Sequence, residues 1–205
     1  MENEFIRCTS KRIAYWLNRY TLKDGVELQK MILGMEILII NISKLIIIYV
    51  LAAIIGIVLQ ALLIQRSYAL VRRYSFGLHA LNSTVCTVVS CLLFVMLPWG
   101  LLYVGIGNIA VLAIFIPVIL CLYLYAPADT KARPLVGRKL RAKLKIKAIV
   151  CGVFIMIITL LVPNESVKLL LTLGAVYQAI SILPLTYKIL KRSVRNYEIY
   201  EQKHA

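Results

Sequence analysis

Residues 45–64 read L-I-I-I-Y-V-L-A-A-I-I-G-I-V-L-Q-A-L-L-I, a run without a single charge. A helix of about 20 residues spans the roughly 30 Å hydrocarbon core of a bilayer. No water is present there to satisfy a peptide N–H or C=O, so such a crossing must be helical. Leu45–Ile64 is therefore a membrane span, and it sets the class of the whole chain. Of the 205 residues, 61% are hydrophobic and only 16% are charged, too few to cover a soluble core. The expectation is an all-α, polytopic helical membrane protein.

Upstream of this run, residues 26–43 are apolar but broken by Glu27, Lys30 and Glu36, and they end at Lys44. A carboxylate in an apolar run should face protein or water, so Glu36 is expected to pair with Arg72 or Lys30, or to meet substrate. Further upstream, residues 3–22 space Phe5, Ile6, Ile13, Trp16, Leu17 and Tyr20 among Arg7, Lys11, Arg12 and Arg19. That pattern predicts an amphipathic helix lying in the headgroup region. Met1–Lys30 has no h-region and no small-residue cleavage site, so no secretory signal is read there.

Downstream, basic clusters alternate with apolar runs. The clusters are Arg66/Arg72/Arg73, the block 131–147 and the tail 188–203. If each faces the cytoplasm, an even number of crossings separates neighbouring clusters. Runs 80–98 and 103–125, joined at Pro98-Trp99-Gly100, supply one pair; runs 148–163 and 167–187, joined at Pro163–Ser166, supply another. Segments 26–43 and 45–64 complete six, with 26–43 either spanning or re-entrant, both termini inside, and 131–147 a basic cytoplasmic loop. The net charge of +15 follows this topology, and no nucleic-acid partner is read from it. Five cysteines without a CxxC pair, and two histidines of which His204 is in the tail, give no metal-ligand spacing. No cofactor is expected.

The chemistry concentrates in Arg72–Cys91, R-R-Y-S-F-G-L-H-A-L-N-S-T-V-C-T-V-V-S-C. A thiol becomes a nucleophile near neutral pH when a base or a positive environment activates it. His79 and Cys86 are the pair available. On one unbroken helix, positions seven apart lie about 10.5 Å apart along the axis, so the chain must bend for them to meet. Asn82-Ser83-Thr84 reads as a helix N-cap, with Gly77 loosening the chain before it. Cys86 would then sit in the first turn of a membrane helix, with His79 folding back from the loop. A buried thiol beside an unrelated histidine is the plain alternative.

The pattern R-x-x-x-x-G-x-H-A-x6-C over Arg72–Cys86 resembles the signature of the AgrB family, the accessory gene regulator B membrane peptidases. Gly34-Met35, Asn41–Leu45, Tyr125–Lys131 and the hairpin ending at Leu183-Pro184 agree with it in order and spacing. One departure is Phe76, where many members carry a second glycine before Gly77.

The resemblance implies a bacterial plasma-membrane cysteine endopeptidase that processes a quorum-sensing propeptide. Cys86 would be the nucleophile, and His79 its base and later proton donor. Attack would release an acidic C-terminal tail and leave a peptidyl thioester. A Cys or Ser of the bound peptide would then close a thiolactone or lactone ring. The implied partners are an AgrD-like propeptide with an amphipathic leader, membrane lipid and a second copy of the chain. The block 131–147 supplies Lys131, Arg133, Arg138, Lys139, Arg141 and Lys143 as a dock for the acidic tail, a role that topology and lipid anchoring share. Arg72 is a candidate for orienting substrate or holding the thiolate. Asp129 or Asn82 could orient His79, and Ser75 or Ser83 could donate to an oxyanion. The rival reading from another class is a multipass peptide exporter or scaffold that performs no chemistry at Cys86.

Overall fold

The structure, a computed structural model, describes residues 2–78, 83–130, 135–190, 192–193, 196–198 and 201. Those residues form helices and no strand: α1 Glu2–Thr21, α2 Gly25–Ile55, α3 Val58–Ser75, α4 Ser83–Cys91, a π-helical turn Leu92–Met96, α5 Leu97–Gly100, α6 Asn108–Tyr125, α7 Arg138–Leu161, α8 Glu165–Ile182 and α9 Pro184–Ile189. Among the described residues, α2, α6 and α7 are long and apolar enough to cross a membrane, and Thr84–Gly100 is a shorter apolar helix. The chain is an all-α membrane protein.

Several boundaries differ from the sequence expectation. The break expected at Lys44 is not there, because α2 runs through it to Ile55. Lysine is a good helix former and ends nothing by itself. The break falls at Gly56, which takes the left-handed conformation (φ 79°) that closes a helix. The run 45–64 is thus divided between α2 and α3, whose Tyr49 hydroxyl and Gln65 meet across the turn at 2.5 Å.

The helix starting at Ser83 continues through Pro98 to Gly100. Proline lacks the N–H that would return to Phe94, and the wide π turn lies immediately before it. The connection to α6 is therefore 101–107 rather than 98–100. It leans on the opposite hairpin: Ile106 N–H donates to the Glu165 carbonyl at 3.3 Å. That hairpin ends at Asn164, whose side chain caps α8 by accepting from Val167 N–H at 3.1 Å. The expected basic loop is helical from Arg138 onward, since nothing between Arg138 and Lys147 breaks a helix.

Helices α3 and α8 form the central pair. Gly174 lets them touch: a Cβ there would lie 2.5 Å from the Ile64 carbonyl oxygen and 2.7 Å from Ser67 Cβ. Ser67 Oγ donates to the Leu171 carbonyl across the same gap at 2.6 Å. Close approach over small residues is how helices gain dispersion contact where lipid removes the hydrophobic drive. One core cluster lies against α6 and α7, built on Phe115, Leu122, Ile155 and Ala179. The other lies against α2 and the π turn, built on Ile48, Ala52, Phe94 and Tyr177. Helix α1 sets its small residues Ser10 and Ala14 inward and leaves Trp16 and Tyr20 exposed.

Candidate active site

The last turn of α3 is fixed to α8 by one buried amide. Gln178, fully buried, donates through Nε2 to Ser75 Oγ at 2.7 Å and to the Phe76 carbonyl at 2.5 Å. Its Oε1 accepts from Arg72 Nη1 at 3.4 Å. Arg72 Nη1 also meets the Tyr68 hydroxyl at 2.5 Å, and Nη2 donates to the Leu78 carbonyl at 2.9 Å.

The chain beyond α3 is held as firmly. Gly77 N–H donates to the Ala128 carbonyl at 3.0 Å, Ala128 N–H to the Ser75 carbonyl at 2.9 Å, and Leu78 N–H to the Ser181 carbonyl at 3.3 Å. Gly77 has φ 117°, and a Cβ there would lie 2.8 Å from Ser181 Oγ, so both its backbone and its missing side chain are required. Phe76 takes φ 56°, a conformation costly for any residue but glycine. The strain thus falls where the resembling pattern carries its second glycine.

Cys86, half-buried, is the fourth residue of α4. Its backbone carbonyl accepts from Ser90 Oγ at 2.7 Å, one helical turn further on. His79 and Asn82 lie outside the described residues, as do Lys131, Arg133 and His204. The structure therefore fixes the chain up to Leu78 on one side and Cys86 on the other. Ser83 opens α4.

Other expected roles are redirected. Ser75 is fully buried, donates to the Val71 carbonyl at 2.9 Å and accepts from Gln178, so it braces α3 instead of facing a substrate oxyanion. Glu36 makes no ion pair with Arg72 or Lys30 among the described residues; Arg72 is already taken by Tyr68, Gln178 and Leu78. Asp129 is buried, with Oδ1 accepting from Asn196 N–H at 3.0 Å and Oδ2 from Tyr197 N–H at 2.7 Å. Its carboxylate anchors the C-terminal segment, while its carbonyl accepts from the Tyr187 hydroxyl at 3.0 Å.

Because 138–147 is helical, its cations sort by face. Arg138, Arg141 and Lys145 recur at helical spacing and line a cavity of about 550 Å³, together with Ala128, Asp129, Tyr187 and Tyr197. Lys139 and Lys143 are exposed and do not line it. Arg141 stacks on the Tyr197 ring at 3.8 Å and bonds Glu201 Oε1 at 2.6 Å, and Gly137 N–H donates to the same oxygen at 3.0 Å. These two donors hold the Glu201 carboxyl below the usual carboxylate range. Ala128 joins the two halves of the region, since it lines the cavity and bonds the segment that leads to His79.

Sequence reading missed Tyr68, Gln178 and Glu201. Gln178 had a signal, as an amide isolated in an apolar membrane run. Tyr68 stands one helical turn before Arg72, a spacing that puts both on one face. Glu201 carried none, because its partner is 60 residues away.

Together these features define a polytopic helical membrane protein with a thiol early in an apolar helix and a basic cavity linked to the neighbouring loop. A family model described as accessory gene regulator B matches residues 10–182. A putative AgrB-like protein of Clostridium acetobutylicum is 45% identical over 186 residues, 91% of this chain and 89% of that one. Another, from Listeria innocua, is 44% identical over 82% of both chains. The accessory gene regulator protein B of Staphylococcus haemolyticus is 35% identical over 86% of this chain and 93% of its own length. The chain belongs to the accessory gene regulator B family. No solved structure matches it.

Proposed function

We propose that this chain is a cysteine endopeptidase of the bacterial plasma membrane that removes the C-terminal tail of an autoinducing-peptide precursor and permits its cyclisation. The observation that carries the reading is Arg72, which holds the Tyr68 hydroxyl and the Leu78 carbonyl just before His79, with Cys86 the fourth residue of α4. A base carried just beyond such a hydrogen-bonded framework would have the prepaid positioning that catalysis uses.

In this scheme His79 takes the Cys86 proton, and the thiolate forms an S–C bond at the scissile carbonyl. The C–N bond breaks, and His79 returns the proton to the leaving amine of the tail. A Cys or Ser within the bound peptide then attacks the thioester, forming the ring and restoring the Cys86 thiol. Thiol–thioester exchange swaps like bonds, so the uphill step is amide to thioester, and departure of the tail helps drive it. Six membrane segments, with both termini and the site on the cytoplasmic side, belong to this reading through the distribution of its basic clusters. Helix α1 lies in the interface alongside the precursor's amphipathic leader. A homodimer and bound lipid belong to the same proposal.

The test uses the full chain in nanodiscs with a precursor taken from the small reading frame beside its gene and tagged at its C-terminus. Wild type should release the tag. Cys86→Ala and His79→Ala should not, and a peptidyl adduct should be trapped on Cys86 by mass spectrometry. Tail release that survives Cys86→Ala sinks the reading of Cys86 as nucleophile, and a wild type that releases no tail favours an exporter.

A further inference from the structure

We infer that Glu201 is a built-in occupant of the carboxylate site made by Gly137 and Arg141, so it competes with an acidic peptide for Arg141, one of the cations that line the cavity beside α7. Identifying that peptide as the precursor's tail rests on the proposed function; the site itself does not.

The occupant shows what the site accepts. A peptide carboxylate sits on Arg141 at 2.6 Å and on the Gly137 N–H at 3.0 Å, and a tyrosine of the same segment lies 3.8 Å under the guanidinium. Asp129 delivers the segment by holding Asn196 and Tyr197 through their backbone N–H groups. Arg138 and Lys145 line the same cavity without an acidic partner among the described residues. Glu201 thus engages one of the three cations that line the cavity, which Asp129 also lines, and a peptide with several acids would reach more of them than Glu201 does.

The contact is built to exchange. The Glu201 side chain is 38% exposed, and an ion pair of that kind holds weakly. A tether makes up for weakness by supplying an effective concentration of roughly millimolar order, which a multiply charged ligand can still outcompete. Unphysiological acidic peptides bearing a single charge would lose that contest, so the segment acts as a filter for tails rich in acid.

The experiment uses the full chain in phosphatidylcholine nanodiscs and a fluorescein-labelled hexaglutamate peptide followed by anisotropy. Glu201→Gln should tighten binding by about two- to fivefold, the range open to a weak surface pair. Arg141→Gln should weaken it, and Glu201→Gln added to Arg141→Gln should then change nothing. Glu165→Gln, at the opposite hairpin, is the charge control and should match wild type. With the tagged precursor, Glu201→Gln should lower KM and leave kcat unchanged. Unchanged hexaglutamate affinity in Glu201→Gln overturns the inference. So does a variant that gains only phosphatidylglycerol, measured in nanodiscs containing that lipid, because the cavity would then serve headgroups. If wild type releases no tail while Glu201→Gln still tightens hexaglutamate, the function reading fails and the occupied site stands. If wild type releases the tail and Glu201→Gln moves neither KM nor affinity, only the inference fails.

Discussion

Gln178 donates to Ser75 at 2.7 Å, and through that bond α8 grips the final turn of α3 four residues before His79. The same amide serves the Phe76 carbonyl and Arg72. A buried polar group that serves three neighbours stabilises only while all are satisfied.

Gln178→Leu keeps the side-chain volume and removes those bonds. Unfolding followed by circular dichroism in detergent should show a loss of about 1–3 kcal/mol, the cost of stranding buried partners. Tail release should fall mainly in kcat if, as proposed, the leader and tail bind at α1 and α7 and not at this turn. A variant with wild-type stability and wild-type kcat would mean that the amide does not hold the catalytic segment.

Two glycines should respond in opposite ways to alanine. At Gly77 the φ of 117° and the 2.8 Å approach to Ser181 Oγ leave no room for a Cβ, so the segment must shift. A displacement near 1 Å at a reacting group costs about 100-fold in rate. Gly107 has φ −79° and nothing within 4 Å of a Cβ, so its alanine variant should lose only what glycine gives over alanine at the N-cap of α6, about 1 kcal/mol, and keep the wild-type rate. Rates of tail release and midpoints of unfolding for the two variants decide the matter.

Helix content and the apolar hairpins were legible because a bilayer leaves the backbone few choices. Where helices end was less so. Lys44 interrupts the hydropathy but not α2, and the helix stops at Gly56 inside the most apolar run, where a left-handed glycine closes it. The Cys86 region was legible as local spacing. Its supports were not: Gln178 and Ala128 reach Phe76 and Gly77 only through the folding of α8 and the loop after α6. The setting of Asp129 was hidden for a related reason. Its neighbours in sequence say nothing of Asn196 and Tyr197, which bind its carboxylate from 67 and 68 residues away.

The Glu201 contact should depend on acidity with a definite sign. The hydrogen bonds from Arg141 and Gly137 lower the folded carboxyl below its ordinary value of about 4.5. A lowered carboxyl stabilises the contact above the unfolded value, and that contribution is lost as pH falls through the lower folded one. Arg138, Arg141 and Lys145 are the cations that line the neighbouring cavity, and Asp129 is the carboxylate that lines it. Hydrogen exchange at Gly137 N–H, corrected for intrinsic pH dependence, should lose protection on acidification below about pH 4.5. In Glu201→Gln the profile should be flat. A wild-type profile as flat as the variant's would detach Glu201 from Gly137.

Cysteine reactivity separates the catalytic reading from an inert core thiol without needing a substrate. Cys8 is exposed on α1, Cys121 is buried and donates to the Ala179 carbonyl at 3.5 Å, and Cys91, Cys151 and Cys86 are all intermediate. Accessibility alone therefore ranks Cys8 first, leaves Cys86 level with Cys91 and Cys151, and puts Cys121 last. Activation by His79 and the Arg72–Tyr68 pair would lift Cys86 above its two equals. With limiting iodoacetamide at pH 6 to 7, where an ordinary thiol is only about 1% ionised or less to a few per cent, Cys86 should be modified about tenfold faster than Cys91. His79→Ala should remove most of that advantage and leave Cys8 unchanged. Tyr68→Phe should remove part of it, because the hydroxyl positions Arg72 without being the base. If Cys86 reacts at the rate of Cys91 in wild type, and neither substitution alters the ratio, the free protein holds no activated thiol and the pair forms only around bound precursor.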